Sequence, residues 1–284
     1  MITITEVSEL RDKLSTHRVA GRSISLVPTM GNLHEGHLEL IRAARKDSDI
    51  VVCSIFVNPL QFGPDEDLDN YPRTIDEDSE KLIQETCDVL FLPSVSEIYS
   101  NSLSEQTIIK VPSITVEFCG SGRPGHFDGV ATVVCKLFNM VQPDIAYFGL
   151  KDYQQFLTIR KLVRDLSLNI DIKGVEIQRD RRGLALSSRN SYLTEVELES
   201  APLIQATLRE IAENIVKGAA NFDVLEQEAV SNLSRQGMDT EYLAIRNAEN
   251  LKPAGEDDDN LVILTAVKLG KCRLIDNIRF NRKP

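Results

Sequence analysis

Two histidines three positions apart are the first residues of the sequence that could act on a phosphate. His34 and His37 enclose Glu35-Gly36 and follow a mostly apolar segment at residues 23–28. An imidazole at the start of a helix can donate a hydrogen bond to a phosphate oxygen and stabilise the charge that develops there. The helix directs its positive end to the same point, and a glycine turn lets backbone N–H groups approach an anion. Two surface or capping histidines, or half of a metal site, would give the same pattern.

A second cluster that suits phosphate oxygens lies in the segment Leu184-Ala-Leu-Ser-Ser-Arg-Asn190. The hydroxyls of Ser187 and Ser188 can donate hydrogen bonds, and the guanidinium of Arg189 can bind two oxygens at once. Ser-Ser-Arg is common in loops, so this segment is informative only in combination with the histidines. If both clusters converge on one triphosphate, they suggest an enzyme that splits ATP between its α- and β-phosphates.

Further polar residues follow predicted strands. Lys151, in Gly149-Leu-Lys-Asp152, can place a point charge on a phosphate or a carboxylate. Asp152 can cap the following helix, or it can reach a Mg²⁺ ion carried by ATP. The neutral amides of Asn58, Gln61 and Gln155 suit hydroxyls and carboxylates, although each could be an ordinary loop residue.

A glycine-containing segment at Arg123-Pro-Gly-His-Phe-Asp-Gly129 has two interpretations. It could be a plain connector between elements. It could also become ordered against a ligand and contribute Val130, which follows it directly.

Strands and helices alternate through the first part of the chain. Apolar patterns predict strands at 23–28, 50–57, 89–92, 145–148 and 170–177, and helices at 36–46, 74–85, 130–141 and 152–166. This alternation predicts an α/β fold, with a Rossmann-like doubly wound parallel sheet in a nucleotide-binding domain over residues 1–177. Ligands should then lie beyond the carboxyl ends of the strands.

The pattern changes after about residue 180. We predict helices at 194–216 and 222–236, ending near Gly218 and Gly237, and strands at 242–246, 261–267 and 273–278. These elements predict a smaller C-terminal α+β lid domain over residues 178–284. The acidic segment 255–260 is expected to be a solvated turn, because it lacks the spaced ligands of a calcium loop.

Composition limits the classes of function. The 284 residues carry a net charge of −11, which argues against a broad nucleic-acid surface. No apolar segment is long enough for a membrane span, and the first residues lack the features of a signal peptide, so a cytoplasmic location is expected. The five scattered cysteines favour neither a zinc site nor a disulfide framework; they are expected to be packing residues.

Several separated motifs together resemble one family. Pro28-Thr-Met-Gly-Asn-Leu-His-Glu-Gly-His37, Phe56-Val-Asn-Pro-Leu-Gln-Phe62, Arg123-Pro-Gly-His-Phe127, Lys151-Asp-Tyr-Gln-Gln155 and the segment 184–190 are similar in order and spacing to the pantoate–β-alanine ligases. These belong to the nucleotidyltransferases with an HxGH turn, which are related to class I aminoacyl-tRNA synthetases. The resemblance covers the chain from end to end.

The resemblance implies a ligase of pantothenate and coenzyme A biosynthesis that uses ATP with Mg²⁺ and no organic prosthetic group. Pantoate would attack the α-phosphorus of ATP, and β-alanine would then attack the pantoyl adenylate and release AMP. It further implies a homodimer without a nucleic-acid or membrane partner. The catalytic residues it implies are His34, His37, Lys151 and Arg189.

The resemblance also assigns binding residues. ATP would contact Met30, Gly31, Asn32, Leu33, His34, Glu35, Gly36, His37, Gly149, Leu150, Lys151, Asp152, Gln178, Leu186, Ser187, Ser188 and Arg189. Gln61, Gln155, Asn58 and Val130 would bind pantoate or β-alanine, and Asp152 is the candidate contact to Mg²⁺. The chain departs from the family at Leu150, where a glutamate is usual, which puts in doubt any role of that side chain.

Two other functions remain open on the sequence alone. A different adenylyl- or cytidylyltransferase would use the same turn, but it should carry more basic residues for a phosphorylated substrate. An ATP-binding sensor or scaffold could keep the fold, yet binding alone would not require both phosphate clusters.

Overall fold

The computed structural model describes residues 1–64, 66–100, 102–255 and 257–283. The chain divides into two compact units, one formed by Met1–Leu150 with Gln154–Glu176 and one by Lys151–Tyr153 with Ile177–Pro284.

The first unit is built around a parallel sheet. Its described strands are β1 (Ile2–Ile4), β2 (Ile24–Thr29), β3 (Ile50–Ile55), β4 (Val89–Phe91), β5 (Ile145–Gly149) and β6 (Asp171–Val175). Their order is β1-β4-β3-β2-β5-β6, and every pairing is parallel. Strands β3 and β5 lie on opposite sides of β2, so the direction in which the chain adds strands to the sheet reverses at β2. Doubly wound sheets bind their ligands at such a point. The predicted α/β class is confirmed.

Helices connect these strands. They are α1 (Val7–Val19), α2 (Glu35–Asp47), α3 (Ile75–Gln84), α4 (Val95–Ile98), α5 (Cys119–Gly122), α6 (His126–Val141) and α7 (Tyr153–Asp165). The continuous apolar run of β3 is buried at every residue, as expected for a strand covered by helices on both faces. Pro28 is tolerated in the central strand β2 because the pairing with β5 involves only Ser25 and Leu26.

The second unit combines helices with an antiparallel sheet. Its helices are α8 (Glu195–Ser200), α9 (Leu203–Val216) and α10 (Phe222–Arg235), and its described strands are β7 (Asp239–Asn247), β8 (Asn260–Leu269) and β9 (Cys272–Asn281) in the order β7-β8-β9. Leu208, Ile211 and Ile215 of α9 are buried in its core together with Leu261 and Ile263 of β8. Gly218 and Gly237 follow α9 and α10 with φ of 105° and 78°, which glycine adopts readily.

Two predicted helices differ from the structure, and the first strand and helix of the chain were not predicted in full. The predicted helix 194–216 is two helices, because Pro202 lacks the N–H that a continuous helix needs and instead stands at the N-cap of α9. Helix α6 begins at His126, four residues before the predicted start. Four of the seven residues in the segment 123–129 therefore form the first turn of this helix. Strand β1 and the full extent of α1 were not predicted.

The acidic segment 255–260 is only partly described, since Glu256 lies outside the described residues. The carboxylate of Asp258 accepts hydrogen bonds from the backbone nitrogen of Gly255 at 2.7 Å and from Nδ2 of Asn247 at 2.6 Å. These bonds are typical of a local turn. No described helix is both long and apolar enough to span a bilayer.

Candidate active site

The turn that follows β2 reverses sharply before α2 begins. Gly31 and Asn32 have φ of 85° and 49°. A Cβ atom on Gly31 would lie 3.1 Å from Cγ2 of Ile55, so the space and the dihedral angle both favour glycine. The turn delivers His34 to the N-cap of α2 in an extended conformation.

The two histidines cap the helix reciprocally. Nδ1 of His34 accepts from the backbone nitrogen of Gly36 at 3.1 Å, and Nδ1 of His37 accepts from the backbone nitrogen of His34 at 3.3 Å. Their ring centroids are 4.1 Å apart. A nitrogen that accepts from N–H carries no proton, so the proton of each neutral ring lies on Nε2. The capping role that the sequence left open is therefore real, and it prepares each ring as an Nε2–H donor.

The backbone N–H groups of the turn bond to the protein itself. Gly31 N donates to Oγ1 of Thr29 at 3.3 Å, and the nitrogens of Asn32 and Leu33 donate to the carboxylate of Asp78 at 2.8 and 2.7 Å. The sequence predicts that N–H groups of this turn approach a phosphate, and in the structure these three are already engaged within the protein. The donors that suit an anion in this segment are the imidazoles.

A buried amide network follows β3. Asn58 is 1% exposed, and its Oδ1 accepts from the Tyr99 hydroxyl at 2.7 Å and from Leu60 N at 3.2 Å. Its Nδ2 donates to Oε1 of Gln61 and to the Gly129 carbonyl, each at 3.1 Å. The four hydrogen-bonding positions of this amide are thus filled inside the protein. Asn58 orients Gln61, whose Nε2 in turn donates to the sulfur of Met30.

The first turn of α6 also holds Gln61. Nδ1 of His126 lies 2.9 Å from the Gln61 carbonyl oxygen, and Nε2 lies 3.0 Å from Nη1 of Arg123. Because arginine only donates, Nε2 of His126 accepts, and Nδ1 carries the proton. Arg123 in turn forms a bidentate ion pair with Glu66, with two N–O distances of 2.6 Å. Burial alone would raise the pKa of the Glu66 carboxyl, but the Arg123 guanidinium outweighs it, and the net shift of the pKa is downward.

Helix α6 touches the turn after β3 through the backbone. A Cβ atom on Gly129 would lie 2.2 Å from the Leu60 carbonyl oxygen and 2.7 Å from Gln61 N. No side chain fits in that space, so glycine is required for this approach. Val130, the next residue, is buried in α6.

Leu150, which follows β5 directly, is the position at which the sequence differs from the pattern of the family it resembles. Leu150 is 3% exposed, and a Cβ atom on Gly174 of β6 would lie 2.5 Å from its Cδ2. The leucine side chain therefore fills space over Gly174. Any contact between Leu150 and a nucleotide would have to come from its backbone.

Two adjacent glutamines at the start of α7 have different surroundings. Gln154 is buried, and its Nε2 donates to the carbonyls of Ile114 and Glu117, at 2.7 and 2.8 Å, while its Oε1 accepts from Cys119 N. Gln154 thus organises the segment before α5. Gln155, the residue predicted to bind pantoate, is only half-buried.

In the second unit, the serine cluster is the return arm of a short hairpin. Leu186 N donates to the Gln178 carbonyl at 2.9 Å, and Asp180 N donates to the Leu184 carbonyl at 2.9 Å. The outgoing arm is fixed by a bidentate pair between Arg179 and Asp276 of β9, with N–O distances of 2.6 and 2.7 Å. Because a guanidinium and a carboxylate pair through two parallel hydrogen bonds, this contact fixes both the position and the orientation of the Arg179 side chain.

The hydroxyl oxygen of Ser187 accepts from Arg189 N at 3.3 Å and caps a short 3-10 turn, Ser188–Tyr192. The segment 186–189 is half-buried, which leaves it partly accessible to a ligand. Lys151 belongs to the same unit, where its carbonyl accepts from Nδ2 of Asn277 at 2.9 Å. Asp152 is exposed.

The structure thus brings together Met30, Asn58 and Gln61 in the first unit, beside the carboxyl ends of β2 and β3. Lys151, Asp152 and the hairpin belong to the second unit. Convergence of the two clusters on one ATP remains a prediction. Within the described parts of the chain, no three His, Cys, Asp or Glu side chains are grouped so that they could hold a metal ion. The five cysteines are buried, and none of them forms a disulfide.

Comparisons with known proteins match the chain over nearly its whole length. The family model described as pantoate-beta-alanine ligase matches residues 2–279. The chain belongs to the pantoate–β-alanine ligase family. A pantothenate synthetase of Marinobacter nauticus is 52% identical over 282 residues, covering 99% of this chain and all of the relative, and one of Shewanella oneidensis is 50% identical with the same coverage.

Solved structures of this ligase family agree. The crystal structure of pantothenate synthetase from Thermus thermophilus superposes with a TM-score of 0.92 at 40% identity and covers all of each chain. A pantoate–β-alanine ligase from Francisella tularensis, complexed with β-γ ATP and β-alanine, has a TM-score of 0.82 at 34% identity, with coverages of 99% and 98%. The family ligates pantoate and β-alanine with ATP, so this chain is a ligase of pantothenate biosynthesis.

Two residues that hold the turn before His34 were not predicted from the sequence. Asp78 and Lys81 of α3 bond to the backbone of the turn before His34. One signal was available for Asp78, because it lies on the apolar stripe of α3, between Ile75 and Leu82 at helical spacing. A carboxylate on a buried helix face needs hydrogen-bond partners, which indicates a structural or functional contact.

Proposed function

We propose that this ligase forms pantothenate through pantoyl adenylate. In the first step a pantoate carboxylate oxygen attacks the α-phosphorus of ATP, the α–β bridging bond breaks, and pyrophosphate leaves. In the second step the amine of β-alanine attacks the acyl carbon, the acyl–phosphate bond breaks, AMP leaves, and the amine loses a proton. The first nucleophile is already an anion, so the step needs alignment and charge stabilisation rather than a strong base.

The observation that carries this proposal is the state of the two imidazoles. With Nδ1 of His34 and His37 accepting from backbone N–H groups, each ring carries its proton on Nε2. A fixed N–H donor stabilises negative charge that develops on a leaving pyrophosphate without having to reorient during the reaction. We assign this role to both rings, with Lys151 and Arg189 as the cationic groups of the site.

The remaining site residues keep their predicted roles except Asn58, whose amide is already fully hydrogen-bonded within the protein. ATP contacts are proposed for residues 30–37, 149–152, 178 and 186–189. Gln61 and Gln155 are proposed to bind pantoate, with Val130 beside them and Asn58 acting by orienting Gln61. Such roles are supported by the bond between Gln61 and Met30, which joins a proposed pantoate residue to a proposed ATP residue.

Mg²⁺ is proposed to enter with ATP as part of the substrate. A single protein carboxylate plus phosphate oxygens is a usual environment for Mg²⁺, and the exposed Asp152 is the proposed contact. A homodimer is proposed on the family resemblance. A cytoplasmic location is also proposed, and five cysteines without a disulfide fit a reducing compartment.

The decisive experiment follows oxygen from pantoate. With ¹⁸O in the pantoate carboxylate, an acyl adenylate requires that one ¹⁸O appear in the phosphate of AMP, as detected by mass spectrometry. Exchange of labelled pyrophosphate into ATP should occur with pantoate present and β-alanine omitted, and should disappear when pantoate is also omitted. Product ADP, or AMP without the label, would overturn the proposed intermediate.

A further inference from the structure

A carboxylate and an ammonium group of α3 hold the turn that precedes His34. Asp78 is 0% exposed, and its two oxygens accept from the backbone nitrogens of Asn32 and Leu33 at 2.8 and 2.7 Å. Thr74 adds a hydroxyl donor to the same carboxylate at 3.2 Å. Nζ of Lys81 donates to the Leu33 carbonyl at 2.7 Å, so Leu33 is held on both sides of its backbone.

These bonds have a clear geometric effect. Asn32 has a positive φ, which is unfavourable for a residue with a side chain and persists only where its surroundings determine it. The carboxylate of Asp78 fixes this backbone conformation, because its two oxygens accept hydrogen bonds from the consecutive N–H groups of Asn32 and Leu33. A buried carboxylate is costly unless it is hydrogen-bonded, and here it has three donors. Its negative charge does not attract phosphate, so any benefit to phosphate chemistry has to come from the geometry of the turn.

We propose that Asp78 is a positioning residue for the adenylation step, acting through the backbone of Asn32 and Leu33 on His34. The nitrogen of His34 follows Leu33 directly and is the donor that fixes the His37 ring. A shift of the turn therefore moves the N-cap imidazole and removes the bond that sets the second one. Lys81 is the second anchor of the same turn. This role rests on the proposed function of the two histidines.

The test separates the two half-reactions in the variant Asp78→Asn. Asparagine keeps the size of the side chain but turns one oxygen into a donor that faces backbone N–H. We expect pantoate-dependent exchange of pyrophosphate into ATP to fall at least about 30-fold, which is less than the factor of about 10²–10³ for removal of a donor because the imidazoles are displaced and not removed. Aminolysis of supplied pantoyl adenylate by β-alanine should stay within about threefold of wild type, because no pyrophosphate leaves in that step. The matched control is Asp76→Asn, an exposed acid in the first turn of the same helix.

Each result decides between the alternatives. An equal fall in both half-reactions would show that Asp78 only maintains the fold, and unchanged exchange would show that the turn does not need it. If Asp78→Asn fails to fold, Lys81→Met removes only the anchor on the Leu33 carbonyl, and the same separation of half-reactions is required of it. Absence of exchange in the wild-type enzyme would instead refute the adenylate mechanism, so failure of the two proposals is distinguishable.

Discussion

Nδ2 of Asn58 donates to Oε1 of Gln61 across 3.1 Å, and the same nitrogen donates to the Gly129 carbonyl. A buried amide therefore fixes the rotamer of the glutamine proposed to bind pantoate. It also joins the turn after β3 to helix α6. Contacts between residues distant in sequence thus hold Gln61 in place. Variants at these contacts should change the kinetic constants for one substrate more than those for the other.

Replacement of Asn58 by aspartate should impair the use of pantoate. The new carboxylate would keep the oxygen that accepts from Tyr99 and put a second oxygen against the Gln61 and Gly129 oxygens. Leaving such buried groups without a donor costs about 1–3 kcal/mol, which corresponds to roughly 5- to 150-fold in kcat/KM for pantoate. The KM for ATP should change less than about twofold. Steady-state kinetics with each substrate varied measures both.

Tyr99→Phe is the matched control for that variant. It removes one donor to Oδ1 of Asn58 and leaves the bonds of Nδ2 in place. Its effect on pantoate should be clearly smaller. Equal losses toward ATP and pantoate in the Asn58 variant would contradict the proposed connection to Gln61.

Replacement of His34 by asparagine should separate capping from catalysis. Asparagine is a good N-cap residue, so α2 should keep its start and the melting temperature should stay close to that of wild type. The Nε2–H donor is lost, and kcat should fall by a factor of about 10²–10³. His34→Ala should lose activity to the same degree and should also lose roughly 1 kcal/mol of stability with the cap. Near-normal turnover of either variant would refute the role of the imidazole.

The neighbouring glutamines should give opposite results. Gln155→Ala is expected to raise the KM for pantoate about tenfold or more, with little change in the KM for ATP or in stability. Gln154→Ala removes two hydrogen bonds to the segment before α5 and one to the first residue of that helix, so it should lower the melting temperature by several degrees. Thermal denaturation and pantoate titrations of the two variants make the comparison. Similar behaviour of both would count against a pantoate contact at position 155.

Acid should weaken the ion pair between Glu66 and Arg123, the arginine that donates to His126. The pKa of Glu66 is lowered in the folded state, so the pair contributes its full stability above the ordinary glutamate pKa of about 4.3 and loses it as the pH falls through the folded value. The difference in unfolding free energy between wild type and Glu66→Gln should be constant above about pH 5.5 and shrink below about pH 4. Urea denaturation across this range measures it, and a difference independent of pH would contradict the assigned ion pair.

Much of the sheet was predictable because its signals are local. The apolar run of β3 and the helical spacing of α2 each require only neighbouring residues, and their bounds agree with the structure to within a few residues. The alternation of such segments predicts a parallel sheet, and a parallel sheet places the turns after β2 and β3 at one edge. Helix α6 was predicted too short because Gly129 in its first turn resembles a loop residue.

The supporting residues were less predictable because their partners are distant in sequence. Asp78 meets Asn32 and Leu33 some 45 positions earlier, and His126 meets Gln61 across 65 positions. No local pattern encodes such pairs. The sequence also suggested that turn backbone N–H groups bind phosphate, and only the structure shows that three of them are already engaged.

The contact of Gly129 with Leu60 has a practical consequence for stabilising this ligase. Glycine inside a helix costs about 1 kcal/mol relative to alanine, so a routine survey of helix glycines would select position 129 for replacement. Here the missing methyl group is the reason that the helix can rest on the main chain beside Gln61. An alanine at 129 would gain a little helix propensity but would push the helix away from the main chain of Leu60 and Gln61, so thermostable designs should keep this glycine.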